Sequence, residues 1–189
     1  MTPNIFEFKN QNILKSVELE GIRFYAPDLT QNWGDERFDA CLVCLDYNGH
    51  NSGVIFEING VNTQNVFLEW TEEVTDKLLR TWRDIQEATE KGAEGIAVLL
   101  IKKYTPYKII ERAAKGTGID YWLSEQMSLL PFQHAARLEV SGQISKNNSR
   151  YKAKIRQKQQ QTQQSDYTQL PVYVVVVEFG TPQATLIKR

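Results

Sequence analysis

Apolar positions along the 189 residues alternate with polar ones in some stretches, run together in others, and in one stretch recur at helical steps. Residues 16–25 and 39–47 are rich in β-branched, aromatic and aliphatic side chains and predict strands. Residues 47–53 are dense in turn formers and predict a hairpin onto a strand at 54–58. Asn59-Gly60 offers a second turn before a strand at 64–70. An antiparallel meander is therefore expected first. Val74, Leu78, Trp82, Ile85 and Ala88 then draw one apolar stripe at three- and four-residue steps. That stripe predicts a helix with Thr71 as N-cap, Glu72 and Glu73 at its positive end, and Gly92 as its stop.

Residues 95–101 form a near-continuous apolar run and predict a strand buried on both faces. Pro106 is placed to open a second helix, lined by Ile109, Ile110 and Ala113 and broken at Gly116. Residues 119–123, 135–143 and 172–179 predict three further strands. Between the last two, residues 149–166 carry two signals. Tyr151, Ala153 and Ile155 alternate with Lys152, Lys154 and Arg156, which suits a strand, while the Gln-rich continuation suits a helix. A strand running into a helix satisfies both. The fold class expected is α+β with a mixed sheet: a meander and helix at 1–92, packed on an α/β core at 93–189. No Pro/Gly/Ser-rich linker divides them.

Composition narrows the class. With 41% hydrophobic and 11% aromatic residues, disordered, collagen-like and disulfide-scaffold classes are excluded. No apolar run approaches the roughly 18 residues that a membrane span needs, so no membrane partner is expected. Residues 1–10 carry Glu7 and Lys9 and show no signal-peptide core. Cys41 and Cys44 cannot build a disulfide framework, which makes a reducing cytoplasm the expected location. On a strand, their spacing points the thiols to opposite faces, so they read as small buried hydrophobes rather than metal ligands. His50 and His134 come without a nucleophile elbow, and Gly116-Thr117-Gly118 is not a Walker loop. Triad hydrolase, zinc-enzyme and nucleotide-binding readings are disfavoured.

The net charge of −1 hides an asymmetry: residues 1–136 carry a balance of −7 and residues 137–189 a balance of +6. Between 140 and 165 the charged residues are Lys146, Arg150, Lys152, Lys154, Arg156 and Lys158, with no acid among them. Such a block either faces the acidic half of its own chain or a partner, or binds a polyanion such as nucleic acid. Asp120 and Glu139 are acids embedded in apolar strands, where an unpaired charge is costly unless it meets a cation. Two readings stay open. Each acid pairs with Arg112, Arg137 or Lys115, or adjacent strands bring the two carboxylates together to hold a hard divalent ion such as Mg2+. Tyr121 and Trp122 follow Asp120 in a strand, so one faces inward and the other outward, where an exposed aromatic either packs or stacks on a base.

Glu111 near a helix end, Asp120 opening a strand and Glu139-Val140-Ser141 in the next strand form a pattern that resembles the PD-(D/E)XK nuclease-like superfamily of restriction-endonuclease-like folds. In that superfamily a helix often carries an acid, one strand carries an Asp, the next carries Glu-x-Lys, and a further helix and strand complete the core. The resemblance covers roughly residues 106–180. It implies a metal-dependent nucleic-acid phosphodiesterase or an inactive derivative of one. Asp120, Glu139 and the Val140 carbonyl would hold Mg2+, Glu111 would assist, Ser141 would contact the water, and Arg150, Lys152, Lys154 and Lys158 would hold the phosphate backbone. Two departures stand out. Ser141 occupies the place of the lysine, for which Lys152, Lys154 or Lys158 is a candidate replacement, and a helix at 106–115 leaves no room for the strand that usually precedes the Asp. The alternative from another class is a non-catalytic interaction protein whose basic face docks an acidic partner, as in a bacterial defence or toxin-neutralising system.

Overall fold

The computed structural model describes residues 14–126, 131 and 133–189; the reading of residues 1–10 falls outside them. Eight strands form one mixed sheet in the order β1-β3-β2-β8-β7-β6-β5-β4. They are β1 (Lys15–Glu18), β2 (Val54–Gly60), β3 (Gln64–Glu69), β4 (Tyr107–Arg112), β5 (Tyr121–Glu125), β6 (Ala136–Gln143), β7 (Val172–Glu178) and β8 (Gln183–Lys188). Four α-helices accompany them: α1 (Gln31–Tyr47), α2 (Asp76–Thr81), α3 (Ile85–Tyr104) and α4 (Asn148–Gln161). No described helix is long and apolar enough to cross a membrane. The α+β class and the mixed sheet expected from the sequence are found.

Several elements differ from expectation, each for a physical reason. Residues 39–47 lie in α1 rather than in a strand, because Thr30 caps a helix there by accepting the Trp33 N–H at 3.3 Å. Buried on nearly every side from Phe38 to Leu45, that helix has no polar face to betray its period. The same holds for residues 95–101, which belong to α3. The stripe from Val74 to Ala88 is split into two helices, capped by Thr75 and by Asp84, whose carboxylate accepts the N–H groups of Gln86 and Glu87. Pro106 ends α3 instead of opening a helix, since the residue before a proline, Thr105, is held extended at φ −135°. Residues 107–112 form β4, and 148–161 are helical throughout.

The N-terminal part is therefore no antiparallel meander. Only β2 and β3 form an antiparallel hairpin, while β1 runs parallel to β3. The division at 92/93 falls inside α3, and β2 pairs with β8, so one sheet joins both halves of the chain.

One face of the sheet is covered by α3, with α1 packed on α3; α4 lies on the other face across β6 and β7. Strand alternation sorts the side chains accordingly. Ala136, Leu138, Val140, Tyr173, Val175 and Val177 enter the main core, while Val174 and Val176 meet Tyr151 and Ile155 of α4. Gly92 does not stop α3. It lets α3 approach α1, for a β-carbon there would lie 2.9 Å from the Cys41 Cα. In an exposed helix Gly→Ala adds about 1 kcal/mol of stability. Here the sign should reverse: Gly92→Ala is expected to lower unfolding stability in urea by about 1–3 kcal/mol. A gain in stability would show that the two helices are not in this contact.

Candidate functional site

The register of β5 on β6 creates the site. Tyr121 and Leu138 are the last pair of β5 on β6, and the preceding Asp120 donates its N–H to the same Leu138 carbonyl at 2.8 Å, with its carboxyl beside that of Glu139. There β5 ends. The odd-numbered residues of β6 turn their backbone groups toward β7, as the Arg137 N–H does to Pro171 and the Gln143 carbonyl does to Phe179. The even-numbered residues Val140 and Gly142 face the other way, past the end of β5. A notch is left along this half of β6, with α3 on one side and α4 on the other.

Charged side chains fill the places of the missing strand. Asp120 Oδ2 accepts the Val140 N–H at 2.8 Å, and the Gly142 carbonyl accepts from Lys154 Nζ at 2.6 Å. Glu139 has no solvent exposure. Its Oε1 accepts from Lys158 Nζ at 2.5 Å and from Gln161 Nε2 at 2.9 Å, while Oε2 is buried without a protein donor. Tyr151, Lys154, Lys158 and Gln161 recur at three- and four-residue steps, so α4 turns all four toward β6 and β7.

The electrostatics follow from that crowding. Burial, then the facing Asp120 charge, pushes the Glu139 carboxyl up to about 7 against the pull of Lys158. Burial also raises Asp120, although the Val140 N–H and Lys158 draw it down. The two acids share one nearby ammonium, so a proton on one carboxyl, or a cation, relieves their repulsion. The orphaned Glu139 Oε2, the Asp120 carboxylate and the Val140 carbonyl aimed past the end of β5 are all oxygen donors, a set that suits a hard divalent ion. No cluster of three or more His, Cys, Asp or Glu residues occurs among the described residues, so any such ion needs the carbonyl and water to complete its shell.

The other expected residues divide. Glu111 lies on β4, not on a helix, and is not brought to the acid pair. It bonds His134 Nε2 at 2.9 Å, and the His134 ring stacks on Trp122 at 4.2 Å and 3°. Ser141 shares the Glu139 face of β6 and lines a neighbouring cleft. Lys158 is the candidate lysine that reaches an acid; Lys154 binds a carbonyl, and Arg150 and Lys152 are exposed. Arg137 pairs with neither acid, turning instead to Leu170, Ser165 and Asp166. Among the described residues Arg112 and Lys115 form no ion pair with Asp120 or Glu139, and Arg150, Lys152 and Arg156 form none with the acidic half of the chain. Sequence reasoning missed Gln161, although its place three residues after Lys158 is readable once the segment is taken as a helix.

Cys41 and Cys44 lie on α1, where a three-residue spacing shares a face; both are buried, and burial pushes the thiols up, Cys44 to about 12. They remain inert packing groups.

Both carboxyls keep protons to higher pH in the folded chain than in the unfolded one, so folded stability is expected to fall as pH rises from the ordinary carboxyl range to about 7. Urea denaturation at several pH values between those limits should show a loss of roughly 1–3 kcal/mol that is flattened in Glu139→Gln. An equal slope in the variant would place the titration elsewhere. Comparison with family models, with curated proteins and with solved structures finds no match to this chain.

Proposed function

We propose that the chain is a metal-dependent nucleic-acid phosphodiesterase of the PD-(D/E)XK type, with Asp120, Glu139 and the Val140 carbonyl as the metal-holding set. The observation that carries this reading is the acid pair brought together where β5 stops beside β6, with an unpartnered buried carboxylate oxygen and a lysine in contact. The chain order supports it as well. Helix α3, strands β4, β5 and β6, helix α4 and strand β7 follow one another, so a strand does precede Asp120 and the place that seemed missing is filled by β4. Glu111 has no part in the site. The acid of α3 whose charge reaches Asp120 is Glu94, and Arg37, Lys91 and the Tyr121 hydroxyl hold it in place.

A bound Mg2+ would supply Lewis-acid stabilisation of a phosphoryl oxygen and a more acidic water. Lys158 takes over the task of the lysine that Ser141 does not supply. Its ammonium sits on Glu139, where it limits the repulsion between the acids and can donate toward developing negative charge. Ser141, set two residues along the strand, contacts substrate or water without carrying charge. Arg150, Lys152 and Arg156 on the open side of α4 attract the phosphate backbone, and that attraction weakens as salt rises.

Calorimetric titration with Mg2+ and Mn2+ should show micromolar-to-millimolar binding that disappears in Asp120→Ala/Glu139→Ala. Cleavage screens with DNA and RNA should then find an activity reduced by roughly 10²–10³ in Lys158→Ala, the scale for losing one electrostatic donor. No metal uptake in the wild type, with or without nucleic acid, would sink the catalytic reading. It would leave the interaction protein, whose exposed and unpaired basic face on α4 suits an acidic partner.

A further inference from the structure

Beside the acid pair the same notch opens into a cleft of about 250 Å³. Ser141, Gly142 and Gln143 form its floor, Gln86 and Glu90 of α3 one wall, and Arg150 and Lys154 of α4 the other. Three features of this cleft are only partly used within the protein.

The first is its charge. Arg150, Lys154 and Lys158 stand at four-residue steps, one above another on α4, and like charges so placed repel. Burial, then Arg150 and Lys158, lowers the Lys154 ammonium from its ordinary range, and Glu90 only partly offsets them. Lys158 is engaged by Glu139, so the excess positive charge of the cleft itself rests on Arg150 and Lys154. The second is Gln143, which is 4% exposed. Its Nε2 is surrounded by acceptors, namely the Ser145 and Asn147 carbonyls and Glu178, which fixes the amide orientation and leaves Oε1 buried without a donor. The third is the Gly142 backbone, whose N–H faces the notch with no strand opposite, because β5 has ended.

Donors and cations dominate, one acceptor awaits a donor, and the volume admits a small group rather than a base pair. We propose that this cleft is a phosphate-binding subsite, formed by Arg150, Lys154, Ser141 and the Gly142 N–H, that seats the phosphate next to the one a metal ion on Asp120 and Glu139 would take. Its assignment to a neighbouring nucleotide rests on the phosphodiesterase reading; its binding of phosphate does not. Gln143 Oε1 takes a hydroxyl of the same ligand, either of the sugar or of a terminal phosphate. Sequence spacing agrees with the arrangement, since Ser141 is the next residue after Glu139 on that face of β6 and Lys154 lies one turn before Lys158.

The test uses the full chain with chelator present and inorganic phosphate as the probe in calorimetry. Saturable binding is expected, weakened roughly tenfold or more in Lys154→Ala, the scale for one charge-assisted hydrogen bond. Lys154→Arg should restore it, Glu90→Gln should tighten it, and Lys77→Ala on α2, which removes the same charge far from the cleft, should leave it unchanged. Circular dichroism of each variant keeps loss of fold apart from loss of binding. Competition by an oligonucleotide with and without a 5′-phosphate identifies the source: displacement by both marks an internal phosphodiester, and displacement only by the phosphorylated strand marks a chain end. No saturable binding, or equal losses in Lys154→Ala and Lys77→Ala, would overturn the subsite, and displacement by neither strand would overturn its link to nucleic acid. Phosphate bound by a chain that takes up no Mg2+ leaves the subsite standing and removes the phosphodiesterase; Mg2+ held without phosphate binding does the reverse.

Discussion

Glu139 is shut away from solvent in the middle of the sheet, and a carboxylate so placed beside a second acid is held by a cation within contact. Lys158 is that cation, and the requirement reaches outward through the fold. Because Lys158 rides on α4, the helix has to cross β6 at one rotational setting. Tyr151 and Ile155 give that setting an apolar seat on Val174 and Val176, and the Tyr151 hydroxyl ties the helix to the Val176 carbonyl at 2.9 Å. The start of the helix is clamped by a second buried acid. Glu178 accepts from the Asn147 N–H and the Gln143 amide, both at 2.7 Å. On the opposite face Gly142 admits α3 so closely that a β-carbon would lie 2.3 Å from the Thr89 carbonyl oxygen. Strand β6 is thus pressed from both sides at the point where its neighbour β5 stops.

How much of this the sequence discloses depends on whether a residue's setting is local. Strands β2, β3, β6 and β7 are readable because alternation or a dense β-branched run marks them, and their ends carry turn residues. Helix α1 and the second half of α3 are not readable by the same means. Buried from Phe38 to Leu45 and from Gly92 to Ile101, they lack the polar face whose period would announce a helix. Gly92 looks like a stop for the same reason, since only the neighbouring α1 explains a glycine there. In α4, alternation at Tyr151, Ala153 and Ile155 imitates a strand over five residues, while Tyr151 and Ile155 are in fact one helical turn apart. Strand β8 is poorly marked in the sequence, because the apolar Ile187 breaks the alternation of Ala184 and Leu186 with Thr185.

The acid pair itself is legible, because acids inside apolar strands stand out. What holds them is not. Arg137 is the nearest arginine in sequence to Glu139, yet its side chain leaves for Leu170 and Asp166, and the cation comes from a helix nineteen residues on. Glu111 misleads for the converse reason: its position near the acids in sequence becomes, on the edge strand β4, a place opposite Trp122 and against His134.

The broken edge of β6 also explains why the candidate site lies here. Elsewhere along the sheet a strand's backbone groups are met by another strand, a partner that no small ligand can displace. At Val140 and Gly142 the partners are instead an Asp carboxylate and a Lys ammonium, reached over side chains with rotamer freedom. Such partners are interchangeable in a way a ladder is not. Lys154 can turn from the Gly142 carbonyl to an anion of the same geometry, and Asp120 can share its remaining oxygen with a cation while Oδ2 keeps the Val140 N–H. A chain that merely needed to stabilise this strand would extend β5 by two residues and bury no carboxylate. By ending β5 at Tyr121 and spending three charged side chains on the gap, this one gives up ladder bonds for groups that can trade their partners, which is the property a binding site requires.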